Sequence, residues 1–223
     1  MGHNMLSSQF DVVSFSILLA MLSFIPMVVV TTTSFLKISL VLLVLRNAIG
    51  VQQVPPTLAI YGVSLALSVF IMAPTVQEIG KRVMSIDTAT STSRTTPLLE
   101  HLRGSFEPLR EFMVKTSKPE HREMFLVSAK KLWPKEVAEQ ATPTDALILV
   151  PAHVVSELQA GYEIGFLIYI PFVVIDLLVS NLLMALGMQQ VSPQTITIPL
   201  KLLLFTLVDG WAKLLNAMAM SYL

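Results

Sequence analysis

Cysteine is absent from the 223 residues of this chain, and charged side chains are scarce. The absence of cysteine excludes disulfides, thiolate nucleophiles and metal sites that depend on thiolates. Only 13% of the residues are charged, against about 25% in ordinary soluble domains. The formal net charge is zero, which argues against a general affinity for nucleic acid. With 53% hydrophobic residues, the composition instead indicates a chain embedded in a membrane or in an assembly.

Motifs for catalysis and for cofactor binding are also missing from the sequence. There is no glycine-rich phosphate loop, no HExxH and no pair of metal ligands at helical spacing. The four histidines are scattered, and His153, next to a proline in an apolar run, is best interpreted as a structural residue. We therefore expect no enzymatic activity, no cofactor and no bound metal.

The charges that are present are concentrated in the middle of the chain. Of the 30 charged side chains, 20 fall between Lys81 and Asp145. This apolar, polar, apolar pattern predicts an all-α fold, in which kinked apolar helical hairpins flank a small inserted polar helical subdomain. The predicted boundaries are residues 1–84, 85–142 and 143–223.

The first apolar region predicts a broken helix followed by a second apolar helix. Residues 12–45 carry a single charge, Lys37. As one helix they would extend about 50 Å, longer than the roughly 30 Å of a hydrocarbon core. Pro26 and the hydroxyl-rich residues 31–34 favour a kink or break there. Residues 57–76 then form a second run of spanning length, so that the two runs make a hairpin.

The polar middle predicts a linker and several short helices. Residues 85–97 are rich in hydroxyls and poor in apolar side chains, which predicts a flexible linker. Pro108 marks a helix break or a fresh start, and Ser117 with Glu120 predicts a capping box. Residues 142–145 repeat the start signal, with Thr142 as the capping residue. The basic residues are interleaved with acidic ones, which favours a solvated face over an anion site.

The last region, residues 143–223, predicts a second apolar hairpin that ends in one helix over residues 196–223, with a turn at residues 191–194. Prolines and glycines inside the apolar segments indicate kinks and close helix packing. The predicted close-packing positions are Gly161, Gly165 and Gly187, and the predicted kinks lie at Pro26, Pro74 and Pro171.

Charged side chains inside the apolar segments need partners. Asp209 and Lys213 are four residues apart and can pair on their own helix. Five others lack an obvious local partner of opposite charge and must find one on another helix, on another subunit or in a wet cavity: Lys37, Glu157, Glu163, Asp176 and Lys201. For Glu163 and Asp176 we favour bridging between helices or subunits over ion or proton transport, because buried pairs commonly fix register.

Long sequence blocks resemble the SctR/FliP family, the core export-gate subunit of type III secretion systems and of the flagellar export apparatus. The two signature blocks are PAHVVSELQAGYEIGF at residues 151–166 and PFVVIDLLVSNLLMALGM at residues 171–188. The likeness extends to SFLKISLVLLVLRNAIGVQQVPP, to IMAP and to PLKLLLFTLVDGWAKL. The forms RNAIGVQQVPP and KLWP resemble the virulence branch more than the flagellar one.

This resemblance implies a non-enzymatic component of a protein-conducting pore. Family members form a ring of five copies with SctS-type and SctT-type subunits, next to SctU/SctV-type export components and inner rod or needle proteins. Unfolded secreted proteins pass through this entry gate. The implied location is the bacterial inner membrane, multi-pass by hydropathy but displaced towards the periplasm. The resemblance also implies that Glu157, Glu163, Asp176 and Lys201 lie in subunit contacts.

The resemblance further implies a constriction in the loop at Met188, Gln189 and Gln190. Family members often carry three methionines there, and this chain keeps one. The resemblance therefore implies the position of the gate and not a purely apolar seal. Two alternatives remain from the residues alone: an ion- or proton-coupled transporter built from broken helices, and a structural membrane anchor.

Overall fold

The computed structural model describes residues 15–223 except residues 18, 21, 52–53 and 90–103, and it leaves out the side chains of residues 85–89. Throughout these described residues the regular elements are helices and no strand occurs. The predicted all-α fold is therefore confirmed.

The first two helices form a sharply bent pair. Helix α1 (Ile25–Thr32) and helix α2 (Phe35–Ile49) meet at 78°, which confirms the predicted break. The bend falls at Thr33 and Ser34, and Pro26 instead occupies the first turn of α1. The Ser34 hydroxyl donates to the Ser68 hydroxyl at 3.1 Å, so a contact with the next helix supports the bend.

Helix α3 (Thr57–Ala89) packs against α2 in an antiparallel hairpin. Ser34 at the start of α2 lies next to Ser68, and Arg46 near its end donates to the Thr57 hydroxyl at 3.0 Å. The helix continues without a break through Pro74 and through residues 85–89. The predicted flexible linker is therefore wrong for residues 85–89, and its remainder, residues 90–97, lies outside the described residues.

The polar subdomain contains α4 (Glu107–Thr116), α5 (Pro119–Leu132) and α6 (Lys135–Ala138). Pro108 lies in the first turn of α4, as the predicted fresh start requires. The predicted capping box is wrong, because the N-cap of α5 is Lys118 and no side chain caps it. The Lys118 backbone N–H instead donates to the Ser156 hydroxyl at 2.9 Å. Contact with the following long helix thus replaces the expected local cap.

That long helix, α7 (Ala146–Ala185), has 40 residues and is continuous through Pro151 and Pro171. The prolines therefore do not interrupt it, and bends at Pro74 and Pro171 stay predictions. Its N-cap is Asp145 and not the predicted Thr142. The Asp145 carboxylate accepts the Thr142 backbone N–H at 2.7 Å, which closes the turn before α7, and no side chain caps the helix itself.

Two of the three predicted close-packing glycines bring α7 against α2. A Cβ at Gly161 would come within 2.9 Å of the Leu40 Cδ2, and one at Gly165 within 3.0 Å of the Val44 Cγ1. Gly187 is different, because it has open space around it and a φ of +70°. It supplies the left-handed turn that follows α7, and close packing against a partner at this position stays a prediction.

The predicted final helix is two helices, α8 (Gln194–Leu207) and α9 (Gly210–Met220). Asp209 between them has a φ of 53°, in the left-handed region. The Phe205 ring packs so closely on Gly210 that a Cβ there would lie 2.4 Å from its Cε2 atom. Because the chain turns at this point, the prediction of one continuous helix over residues 196–223 is wrong.

Two of the described helices are apolar and long enough to cross a membrane. They are Thr57–Met84 of α3 and Ala146–Ala185, with the bent α1–α2 pair as a broken third candidate. Large apolar side chains on their outer faces, such as Phe70, Phe166 and Leu178, are more than 60% exposed. Such faces suit a membrane or a protein interface rather than water.

Candidate functional site

A buried polar cluster joins α2, α7 and the residues that follow α9. Lys37 and Glu157 are 5% and 2% exposed, and the Lys37 Nζ lies 3.8 Å from the Glu157 Oε1. The ammonium donates to the Ser221 hydroxyl at 3.1 Å and lies 3.6 Å from the centroid of the Tyr222 ring. The Tyr222 hydroxyl donates to the Glu157 Oε2. The cluster therefore has four members from three parts of the chain.

The geometry makes Ser221 and Tyr222 necessary to this cluster. A separation of 3.8 Å is an ion pair but is too long for a good hydrogen bond. Burial, together with the neighbouring Glu157 carboxylate, raises the pKa of Tyr222, so the phenol stays protonated and can donate. The tyrosine supplies both a hydrogen bond for the carboxylate and an aromatic face for the ammonium.

A second charge pair joins three helices. The Lys201 Nζ on α8 lies 2.6 Å from the Asp176 Oδ2 on α7 and donates to the Ala48 carbonyl of α2 at 2.9 Å. Lys201 is 3% exposed, whereas the Asp176 side chain is 44% exposed. A half-open cavity of about 500 Å³ lies beside the pair. Its polar lining includes Asn47, Ser180, Ser192 and Gln194.

The third acid in α7 lies at the surface. The Glu163 Oε1 accepts from the Lys118 Nζ at 3.3 Å and from the Gln159 Nε2 at 2.8 Å. Its side chain is 58% exposed, so solvent screens this pair. The structure thus gives Glu157, Glu163 and Asp176 cationic partners on other helices of the same chain. Their burial in subunit contacts stays a prediction.

The predicted pair of Asp209 with Lys213 is wrong for this chain. Among the described residues no ion pair joins their side chains. Asp209 occupies the N-cap position of α9 in the left-handed region and is not part of a helix with Lys213. The two residues meet only through the backbone, where the Lys213 N–H donates to the Asp209 carbonyl at 3.1 Å.

Met188, Gln189 and Gln190 lie together in the loop between α7 and α8. All three are exposed. One backbone hydrogen bond, from the Met188 N–H to the Leu183 carbonyl at 2.9 Å, fixes the start of the loop on the last turns of α7. The side chains are therefore free to face a partner or an opening, as a constriction requires.

His153 is a packing residue in the structure. Its Nδ1 lies 2.9 Å from the Thr116 hydroxyl, and its ring meets that of Phe112 edge-on. These contacts join α4 to α7. Within the described part of the chain, no group of three or more histidine, aspartate or glutamate side chains could hold a metal ion.

Sequence reasoning missed Ser221 and Tyr222. Their partners Lys37 and Glu157 lie 184 and 65 residues away along the chain, and no local pattern marks such contacts. The weak signal was a pair of polar residues, Ser-Tyr, directly after an apolar helix, in a chain whose other apolar segments carried charges without local partners.

Residues 18–218 match the FliP family. The harpin secretion protein HrpW of Pseudomonas syringae pv. syringae is 51% identical over 93% of this chain and 99% of its own length. The harpin secretion protein HrcR of Erwinia amylovora is 46% identical over 97% of this chain and 99% of its own length. The Yop proteins translocation protein R of Yersinia pestis is 42% identical over 95% of this chain and 97% of its own length. The similarity thus extends over almost the whole of each chain.

Proposed function

Because the chain belongs to the FliP family, as its signature blocks predicted, we propose that it is a subunit of a type III secretion export apparatus of the virulence branch. The observation that carries this proposal is the near full-length similarity to proteins named for harpin secretion and Yop translocation. The apolar helices suit a component of the bacterial inner membrane. The role is structural rather than catalytic.

In the finer proposal, five copies form a ring with SctS-type and SctT-type subunits and enclose the entry pore for unfolded secreted proteins. The exposed apolar side chains of α7 and α8, such as Phe166, Leu178 and Leu207, support it because they need a cover of protein or lipid. The ring would lie displaced towards the periplasm, next to SctU/SctV-type components and the rod or needle proteins. The loop at Met188, Gln189 and Gln190 would form its constriction.

The charge pairs favour this proposal over an ion- or proton-coupled transporter. Intramembrane carriers use acids that can change their partner or their protonation state. In the described part of the chain, Glu157 and Asp176 each contact a buried lysine, at 3.8 Å and 2.6 Å. Such pairs suit fixed helix packing.

The gate assignment is tested by replacing Met188, Gln189 and Gln190 together with alanine. We expect the resting membrane to leak small ions while the assembled complex is recovered in normal amount, because the loop would lose the bulk that closes the opening. Ser192→Ala with Gln194→Ala, just beyond the three replaced residues, is the matched control and should keep the seal. An unchanged ion permeability in the triple variant would remove this loop from the gate.

A further inference from the structure

We propose that Ser221, Tyr222 and Leu223, here called the C-terminal clasp, couple the packing of the polar subdomain to the buried Lys37–Glu157 pair. The clasp contacts the pair on one side and helix α4 on the other. This proposal is independent of the gate, because it concerns contacts within one chain.

On the core side, the clasp completes the surroundings of two buried charges. Lys37 has three described partners: Glu157 at 3.8 Å, the Ser221 hydroxyl at 3.1 Å and the Tyr222 ring at 3.6 Å. Two of the three belong to the clasp. The Glu157 Oε2 accepts from the Tyr222 hydroxyl. Without the clasp the pair would keep only its long ion contact, and buried charges tolerate that poorly.

On the subdomain side, α4 holds the same residues. The Phe112 ring stacks on the Tyr222 ring with a 5.9 Å centroid distance and an 18° interplanar angle. The Lys115 Nζ donates to the carbonyl oxygens of Tyr222 at 3.1 Å and Leu223 at 2.9 Å. A cavity of about 620 Å³ between α3, α4 and α9 also reaches the clasp, so residues 221–223 have space beside them once their contacts are lost.

One aromatic ring therefore takes part in both sets of contacts. Tyr222 cannot leave Phe112 and Lys115 without also leaving Lys37 and Glu157. Coupling between two sites requires a shared element with two arrangements that both sites influence. The clasp, docked or released, is such an element.

The second buried lysine provides a contrast within the same chain. Lys201 makes direct contacts with Asp176 at 2.6 Å and with the Ala48 carbonyl at 2.9 Å, and within the described part of the chain it makes no hydrogen bond or ion pair with the clasp or with α4. Loss of the Lys201 charge should therefore weaken the core without affecting the subdomain through the clasp.

The experiment measures amide hydrogen exchange in α4 peptides of the full chain, because exchange reports local opening of a packed helix. Tyr222→Phe keeps the stacked ring and removes the hydroxyl, and Lys37→Met removes the charge beneath the ring. We expect both to accelerate exchange over residues 107–116 about tenfold, which corresponds to about 1.4 kcal/mol of opening free energy. Lys201→Met is the matched control and should leave α4 exchange unchanged.

A second pair of variants distinguishes coupling through the clasp from coupling through another contact between α4 and α7, that of Thr116 with His153. Lys115→Met removes one of the two contacts that hold the clasp on α4, so adding Lys37→Met should accelerate α4 exchange by less than the sum of the two single effects. The proposal is overturned if Tyr222→Phe leaves α4 exchange unchanged, if Lys201→Met accelerates it equally, or if the Lys115 and Lys37 effects add. If Lys37→Met does not fold, Tyr222→Phe alone decides, since it leaves both charges in place.

Discussion

At the scale of single residues, burial decides which charges matter. Glu157 and Glu163 lie in the same helix six residues apart, yet Glu157 is 2% exposed and the Glu163 side chain is 58% exposed. A buried charge that loses its partner is costly, whereas water compensates an exposed one. The two acids therefore have different roles, although the sequence presents them alike.

Glu157→Gln should destabilise the chain strongly. It leaves the Lys37 ammonium buried without an anion, and breaking such a pair costs about 3–5 kcal/mol. The measurement is thermal or denaturant unfolding in detergent, with the yield of assembled complex as a second readout. Glu163→Gln is the control on the same helix and should leave both readouts nearly unchanged. Equal losses in the two variants would contradict the importance of burial.

Gly165→Ala should also destabilise, in contrast to an alanine placed at an open glycine. The new Cβ would lie 3.0–3.2 Å from three side-chain atoms of Val44, and a β-branched side chain has few rotamers with which to move away. Overpacking of this kind costs about 1–3 kcal/mol. Gly62→Ala in α3 meets nothing within 4 Å and should stabilise by up to about 1 kcal/mol. If the unfolding midpoints of Gly165→Ala and Gly62→Ala shift in the same direction, close packing at Gly165 is contradicted.

The need for partners could be predicted from the sequence, whereas the partners themselves could not. Lys37 and Glu157 were recognised because a charge in an apolar run is conspicuous. Their contact depends on how α2 packs along α7, where Gly161 and Gly165 meet Leu40 and Val44. That register follows from tertiary packing and has no local signature.

At the scale of elements, breaks with a local cause were predictable. The bend between α1 and α2 follows a run of hydroxyl residues, which bond back to carbonyls as Thr32 does to Val28 at 2.7 Å. The break between α8 and α9 was missed because an apolar run surrounds it. Its signal was the Asp-Gly pair at 209–210, a sequence typical of turns.

Gly210→Ala should disrupt the turn between α8 and α9. The added Cβ would lie 2.4–2.6 Å from three atoms of the Phe205 ring, and a buried ring edge cannot yield that distance without repacking. We expect a loss of about 1–3 kcal/mol in unfolding free energy. Gly80→Ala, with open space around it, is the control. Adding Phe205→Leu should recover part of the loss; no recovery would mean that the strain lies elsewhere.

At the scale of the whole molecule, the order of apolar and polar regions was predictable, but the docking of the polar subdomain was not. The subdomain attaches to α7 through Ser156, which accepts the Lys118 backbone N–H at 2.9 Å and lies 2.8 Å from the His121 Nδ1. These contacts join residues 35 to 38 positions apart. Composition locates such a subdomain in the sequence and says nothing of the surface it covers.

The broad apolar surface predicts association at this scale. The chain expressed alone should require detergent to stay in solution, since side chains such as Phe70 and Leu207 are 71% and 75% exposed. Expressed with SctS-type and SctT-type subunits, it should appear in native mass spectrometry as a complex with several copies of this chain. A stable monomer under both conditions would contradict the proposed ring.

The length of α7 limits where a bilayer can surround it. Forty residues at about 1.5 Å each give a rod of about 60 Å, twice the thickness of a hydrocarbon core. The polar subdomain packs along one side of the first half of this rod, as far as the Lys118–Glu163 contact. Beyond Glu163 the helix continues for 22 residues, or about 33 Å. The part of α7 beyond that contact is therefore about as long as a hydrocarbon core is thick.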